Sequence, residues 1–278
     1  MSPQNALKPH PDAARLADEC ALLREEFVSL AAERDRLLTT DIPSVTADYQ
    51  LKVGAVQYAL FCRECELRRL KRKVELIQAA FNRMEPVSLA KIDAALDEEL
   101  AAWTREMAEL AEKLKEARWY ADQPKLTMED SADLLRLYRL LAKRLHPDLN
   151  PNQESAAKQL WIRVGEAYRQ GDLDGLRASA LMLEGISEPT LPSALERLRE
   201  LREELKFRIS VTLAELASLK STFPLNLRAS LTDAAWVATE VAIRGERAAE
   251  VNQRIGEVSG LLAAFMGGVA GESRTDHH

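Results

Sequence analysis

Apolar residues along this chain recur in alternating steps of three and four. Leu16, Cys20, Leu23, Phe27, Leu30 and Leu37 make one stripe, with Arg34 in its missing place. Val53, Val56, Leu60, Leu67, Leu70, Val74, Ile77, Phe81 and Met84 make a second, interrupted at Arg63. Leu89, Ile92, Leu96, Leu100, Trp103, Met107, Leu110 and Leu114 make a third. Val241, Ala248, Val251, Ile255, Val258, Leu262 and Phe265 make a fourth, gapped at Arg244. A 3.5-residue repeat is the seam of a coiled coil. Strands would need a period of two, and no run shows it. The pattern predicts an all-α chain in which long coiled-coil-like helices flank a different middle segment. Arg34, Arg63 and Arg244 read as register or pairing devices, or as side chains that snorkel to the edge.

Prolines place the breaks, because a helix interior excludes proline at about 3 kcal/mol. Pro43, Pro86, Pro124, Pro147, Pro151, Pro189, Pro192 and Pro224 leave long proline-free runs between them. The expected organisation is a disordered N-terminus at 1–12, then coiled-coil helices at 13–125, joined near 39–45 and 85–88. Short helices and turns occupy 126–186. A C-terminal coiled-coil hairpin at 187–278 is broken near Phe223-Pro224. The spacing leaves open whether the flanks pack as an antiparallel bundle within one chain or form a homo-oligomer.

Composition fits that picture. Of 278 residues, 46% are apolar and only 5% aromatic, and glycine and proline number 11 each. Long amphipathic helices have this profile, and doubly wound sheets and β-sandwiches do not. A net charge of −6 argues against a generic nucleic-acid binder. Cys20, Cys62 and Cys65 are too few, and odd in number, for a disulfide framework. With no apolar leader in Met1 to Pro11 and no run of about 20 apolar residues, the expectation is a cytoplasmic protein. The terminal His277-His278 is given no role.

The middle segment concentrates the chemistry. Thr127 with Asp130 marks a helix start. In the helix that follows, Leu134, Leu137, Tyr138, Leu141 and Leu145 share one face at 100° per residue. Arg136, Arg139 and Lys143 line the opposite face with Arg144 beside them, and no acid interrupts 134–146. This is a basic patch on an acidic chain. His146-Pro147-Asp148 ends the helix, since Pro147 disfavours helix at the residue before it. Asn150-Pro151-Asn152 prolongs the turn. A second helix to Gln170 carries Ala157, Leu160, Trp161, Val164, Ala167 and Tyr168 on one face. Gly171 ends it, and Asp172 can cap a third helix to Glu184, stopped by Gly185.

The stretch Tyr138-Arg-Leu-Leu-Ala-Lys-Arg-Leu-His-Pro-Asp-Leu-Asn-Pro151, followed by Gly165-Glu-Ala-Tyr168, resembles the J-domain of DnaJ-like co-chaperones over about 131–170. With the helical pattern at 70–80 and Phe223-Pro224, the chain also resembles divergent bacterial members with coiled-coil flanks. The resemblance implies a helical hairpin that docks on a DnaK-type ATP-dependent chaperone and stimulates its ATP hydrolysis. It implies that His146, Pro147 and Asp148 form the docking loop, and that Arg136, Arg139, Lys143 and Arg144 are docking cations. Trp161 stands where that family has a core phenylalanine. The chain departs from the family at the usual first helix, and the helix ending at Trp119-Tyr120 is expected to take its packing role. Leu135 and Leu140 occupy positions often cationic in the family.

Other features read more plainly. His10-Pro11-Asp12 repeats the tripeptide without a preceding helix. Cys62 and Cys65 lack the further ligands that zinc needs, and are expected on the outward side of their helix. Cys20 lies on a seam and is expected in the core. The five cations in Arg68-Arg69-Leu70-Lys71-Arg72-Lys73 have Glu64, Glu66 and Glu75 near them. They read as a solvated face, or as a docking face for an acidic partner, nucleic acid or anionic lipid. No phosphate loop or nucleophile constellation occurs, and His146 is the sole histidine between positions 11 and 276. The chain is therefore not expected to be an enzyme or to carry a cofactor or metal. Nucleic acid or a membrane surface is not expected as its main partner. Its expected function is co-chaperone, with coiled-coil regions that bind an unknown client or set location. The alternative is a coiled-coil scaffold protein with a vestigial J-like hairpin.

Overall fold

A computed structural model describes residues 11–151, 153–183, 191 and 194–272. Among them 89% are helical and none lies in a strand, so the protein is all-α. The long helices are α1 (Pro11–Arg36), α3 (Ala55–Asn82), α5 (Ala101–Asp122), α9 (Leu195–Ser221) and α11 (Ala234–Glu272). Between them lie α2 (Ile42–Tyr49), α4 (Leu89–Glu99), α6 (Met128–Leu145), α7 (Ser155–Gln170), α8 (Leu173–Met182) and α10 (Arg228–Thr232). The break expected near 39–45 is itself helical. Leu37–Asp41 forms a π turn in which the Ile42 N–H bonds to the Leu37 carbonyl. Pro43, with no N–H to give, follows that widened turn and does not end the helix. A second π turn, Gln50–Gly54, leads into α3.

The helices group into two units, and each is assembled from separated stretches of chain. One holds α1 with α6 to α9, and the other holds α3 to α5 with α10 and α11. This grouping differs from the expected division into 13–125, 126–186 and 187–278, which followed chain order. Of the first twelve residues, 1–10 lie outside the described residues, while Pro11 and Asp12 already begin α1. Glu184, Gly185 and His277-His278 also lie outside the described residues.

In the first unit α1 runs parallel to α9. The Cys20 thiol donates to the Leu198 carbonyl (3.4 Å), and Glu19 pairs with Lys206 (3.2 Å). Further along, Arg34 meets Glu215 (3.4 Å) and Glu33 meets Lys220 (2.7 Å). A narrow seam would suffice for one partner, but α1 has two. Val28, Ala31 and Ala32 are buried beside Phe27 in the core it shares with α6 to α9. The helix ending at Trp119-Tyr120 belongs to the other unit, and it is α1 that packs against α6.

The hairpin itself follows its sequence signals. The Thr127 hydroxyl accepts the Asp130 N–H (3.0 Å) and caps α6. Leu134, Tyr138, Leu141 and Leu145 are buried, as are Leu160, Val164 and Tyr168 of α7. Gly171 ends α7 with φ +67°, the left-handed region that glycine adopts without a Cβ clash. Asp172 then accepts the Gly175 N–H (2.8 Å) and starts α8. Burying each large aliphatic side chain contributes about 1.5–3 kcal/mol, so this shared core dominates the unit's stability.

In the second unit α3 lies between two kinds of neighbour. On one side α4 and α5 run back along it. Arg69 pairs with Asp97 (2.7 Å), Lys73 with Asp93 (2.8 Å), and Phe61 stacks on Trp103 (5.5 Å). On the other side α11 runs parallel to it, with the Leu231 carbonyl held by Lys52 (3.0 Å) and Arg247 near Glu64 (3.7 Å). The expected hairpin of the two C-terminal helices is thus replaced by two pairings: α9 packs on α1, and α11 packs on α3. Phe81 and Met84 leave the seam and are exposed.

The shared core makes a specific prediction. Phe27 is 2% exposed and Leu22 72%. Phe27→Ala should cost about 3–5 kcal/mol in urea unfolding, and Leu22→Ala less than about 0.5 kcal/mol. Equal, small losses would show that α1 is not part of the hairpin core.

Candidate partner-docking site at the end of helix α6

The site begins where α6 stops. The His146 N–H completes the last helical bond, to the Ala142 carbonyl (2.9 Å), and its own φ and ψ are already extended. Pro147 follows and has no N–H to continue the ladder. The chain then turns, with the Leu149 and Asn150 N–H groups both donating to the His146 carbonyl (3.0 Å each). The buried Asn150 amide donates to the Arg144 carbonyl (2.9 Å), satisfying an orphan acceptor at the helix end. From α1, Arg24 donates to the Leu149 carbonyl and to the Asn150 side-chain oxygen (3.0 Å each). Burial lowers the Arg24 pKa from its ordinary value, and both bonds leave its charge in place.

His146, Pro147 and Asp148 differ sharply in exposure. Pro147 and Asp148 are exposed, whereas His146 is 6% exposed. Of the docking loop implied by the resemblance, His146 thus lies in the core and does not project with Asp148. The His146 ring meets Phe27 edge-on (5.4 Å, 89°) and Trp161 at a tilt (5.1 Å). It continues the buried Leu141–Leu145 face by one residue, and α1 closes over it. Its Nδ1 accepts the Asp148 N–H (3.1 Å), which assigns the neutral ring's proton to Nε2. Burial pulls the His146 pKa below its ordinary value, and the Asp148 charge opposes that in part. The Asp148 carboxylate faces outward and meets Arg208 of α9 at 2.8 Å.

The cationic stripe of α6 is present, with differing surroundings. Arg136 and Arg139 are exposed, and Arg136 pairs with Asp133 of its own helix (3.3 Å). Lys143 pairs with Glu25 of α1. Arg144 is half-buried. Arg24, Glu25, Arg139, Leu140, Lys143 and Arg144 line an open groove of about 560 Å³ between α1 and α6. Below the stripe, Tyr138 stacks on Tyr168 (4.1 Å) and donates to Asp35. Burial first, then the Asp35 charge, pushes Tyr168 up to about 12 and Tyr138 further up, so both stay neutral core residues.

Four residues at the site were absent from the sequence-based expectation: Arg24, Glu25, Asp35 and Arg208. Each stands in another helix, and Arg208 reads as an ordinary helical partner of Glu204 four residues earlier.

The remaining candidates resolve differently. His10 lies outside the described residues, and Asp12 sits in the first turn of α1. Cys20 is buried in the core as expected, and burial raises its thiol pKa. Cys65 is also buried, contrary to the outward placement expected, and shares a pocket with Trp103 and Met107 of α5. The 68–73 run meets internal partners: Arg69, Arg72 and Lys73 pair with Asp97, Glu99 and Asp93, and Arg68 covers the Trp103 ring at 4.0 Å. Among the described residues no three His, Cys, Asp or Glu side chains cluster as metal ligands. None of the described helices is long and apolar enough to cross a membrane.

Comparison with protein-family models gives no match for this chain, and neither do curated proteins or solved structures.

The buried imidazole predicts a pH dependence. A histidine whose folded pKa is lowered binds fewer protons folded than unfolded. Its contribution is therefore full above the unfolded value of about 6.5 and is lost as pH falls below it. The gap in melting temperature between wild type and His146→Phe should narrow or invert from pH 7.5 to pH 5. A gap that widens on acidification would mean that the ring is charged in the folded protein.

Proposed function

We propose that the chain is a co-chaperone that docks on a DnaK-type ATP-dependent chaperone and stimulates its ATP hydrolysis. The observation that carries this reading is the joint placement of the stripe and the loop. Arg136 and Arg139 are exposed on α6, and the same helix ends directly in the exposed Pro147-Asp148. The ring contacts of Tyr138 with Tyr168 and of His146 with Trp161 set α6 and α7 antiparallel, so the loop is the tip of a packed hairpin. Charge on the helix face speeds encounter with an acidic surface. Asp148 then offers one carboxylate at a fixed turn to a cation of the chaperone. The resemblance noted in the sequence supports the same partner.

In this reading the chain performs no catalytic step itself; the chaperone does. Because α1 and α9 are committed to the hairpin core, client binding or positioning falls to the α3–α5–α11 unit. The interaction between 68–73 and its internal partners weighs against a nucleic-acid or membrane adaptor. The scaffold reading keeps one observation in its favour: Asp148 and Lys143 already have partners within the chain.

The test is chaperone ATPase stimulation by the full chain. Asp148→Asn should reduce stimulation at least about tenfold at a stability cost of no more than about 1 kcal/mol, since its pair with Arg208 is partly exposed. Arg139→Ala with Lys143→Ala should raise the half-maximal concentration and flatten its salt dependence. His146→Gln should also lose stimulation, but at about 1–3 kcal/mol of stability, because the ring is buried. Asp12→Asn should change nothing in the assay. Full stimulation by Asp148→Asn sinks the mechanism, and no stimulation by wild type favours the scaffold.

A further inference from the structure

The charges by which the loop and the α6 stripe would be recognised face opposite charges delivered by the flanking helices. Asp148 meets a cation, Arg208 of α9, at 2.8 Å. Lys143 meets an anion, Glu25 of α1. The two pairs have opposite polarity, and both come from helices that pack along each other. Arg208 is held in place by its other nitrogens: Nε and one Nη donate to Glu204 (3.1 and 2.7 Å), which leaves the second Nη for Asp148. Beside Glu25, Arg24 fixes the Leu149 carbonyl and Asn150. The α1–α9 pair therefore presents an acid to the lysine and a guanidinium to the aspartate, the pattern a docking partner would need.

We propose that α1 and α9 act as an internal mimic of the partner, an autoinhibitory clamp whose central contact is Arg208 on Asp148. This rests on the docking reading of the loop. Arg136 and Arg139 remain exposed and serve first encounter. Full engagement then requires an exchange in which a partner cation replaces Arg208 on the carboxylate and a partner acid replaces Glu25 on Lys143. Both clamp pairs are partly exposed, with side-chain accessibilities of 26% for Arg208 and 46% for Asp148. Such pairs are individually weak, so the clamp sets a threshold that a complementary partner overcomes.

The experiment uses full-length protein in two assays. The first is a double-mutant cycle on thermal unfolding with Arg208→Gln, Asp148→Asn and the double variant. Favourable coupling between the two positions is expected. Additive effects would mean that the pair does not form and would overturn the proposal. The second is stimulation of the DnaK-type ATPase. Arg208→Gln, alone and with Glu25→Gln, should lower the half-maximal concentration about two- to fivefold, while Arg208→Gln with Asp148→Asn stays as inactive as Asp148→Asn alone. If Arg208→Gln instead weakens stimulation, Arg208 positions the loop for docking and the clamp is refuted. If the pair is coupled but neither wild type nor any released variant stimulates, the co-chaperone reading fails, and the clamp as a brake on docking fails with it. Coupling with normal wild-type stimulation and an unchanged half-maximal concentration in the released variants would overturn the clamp alone.

Discussion

The structure around the candidate site depends on α1 closing over the end of α6. Phe27 sits against the His146 ring, with Ala31 and Ala32 fully buried in the same core. That packing is apolar and local, yet it joins positions more than a hundred residues apart. Once it forms, the rest is constrained. Burial among aromatic rings lowers the imidazole pKa and favours the neutral ring. Its Nδ1 is then free to accept the Asp148 N–H, which sets the turn. Arg24, one helical turn before Phe27, falls beside Leu149 and Asn150 and ties down the far side of the loop. The outward direction of Asp148 is thus a consequence of what is buried beneath it.

A second constraint comes from pairing α1 with α9 in parallel. Two parallel helices cannot be joined by a short turn, so a long stretch of chain must intervene. Here that stretch includes the hairpin, which packs on α1 itself, and the α3–α5 helices, which form the other unit with α11. The ion pairs along α1 and α9 are partly exposed and contribute little stability singly. Their ordered succession from Glu19 to Arg34 fixes register. In the second unit the same division of labour appears: Ile77, Leu96 and Val251 are buried, while Arg69, Arg72 and Lys73 align α4 along α3 through carboxylates.

Much of this was legible from local pattern. The caps at Thr127 and Asp172, the stop at Gly171, the proline after His146 and the buried face of α6 are all decided by neighbours within four residues. So was the helical class of the chain. The partners of the long helices were not legible, because a three-four repeat states that a helix has an apolar stripe but not which other stripe covers it. Val28, Ala31 and Ala32 widen the α1 stripe beyond a two-helix seam. Alanines are good helix formers in any setting, so their burial left no distinct mark. His146 looked like part of an exposed loop because Phe27 belonged, on sequence, to a separate coiled coil. Arg208 was hidden for the same reason: beside Glu204 it is an ordinary surface pair, and only the parallel register of α9 brings it to Asp148.

The central claim is that the loop is a built surface held by α1, not an open connection. Hydrogen exchange resolved to single amides measures this directly. The Asp148, Leu149 and Asn150 N–H groups each donate within the turn. In the intact wild-type chain they should exchange as slowly as the last turn of α6. In Phe27→Ala they should lose protection before the middle of α6 does. Exchange of these three amides at the rate of an unstructured chain in the wild type would contradict the account.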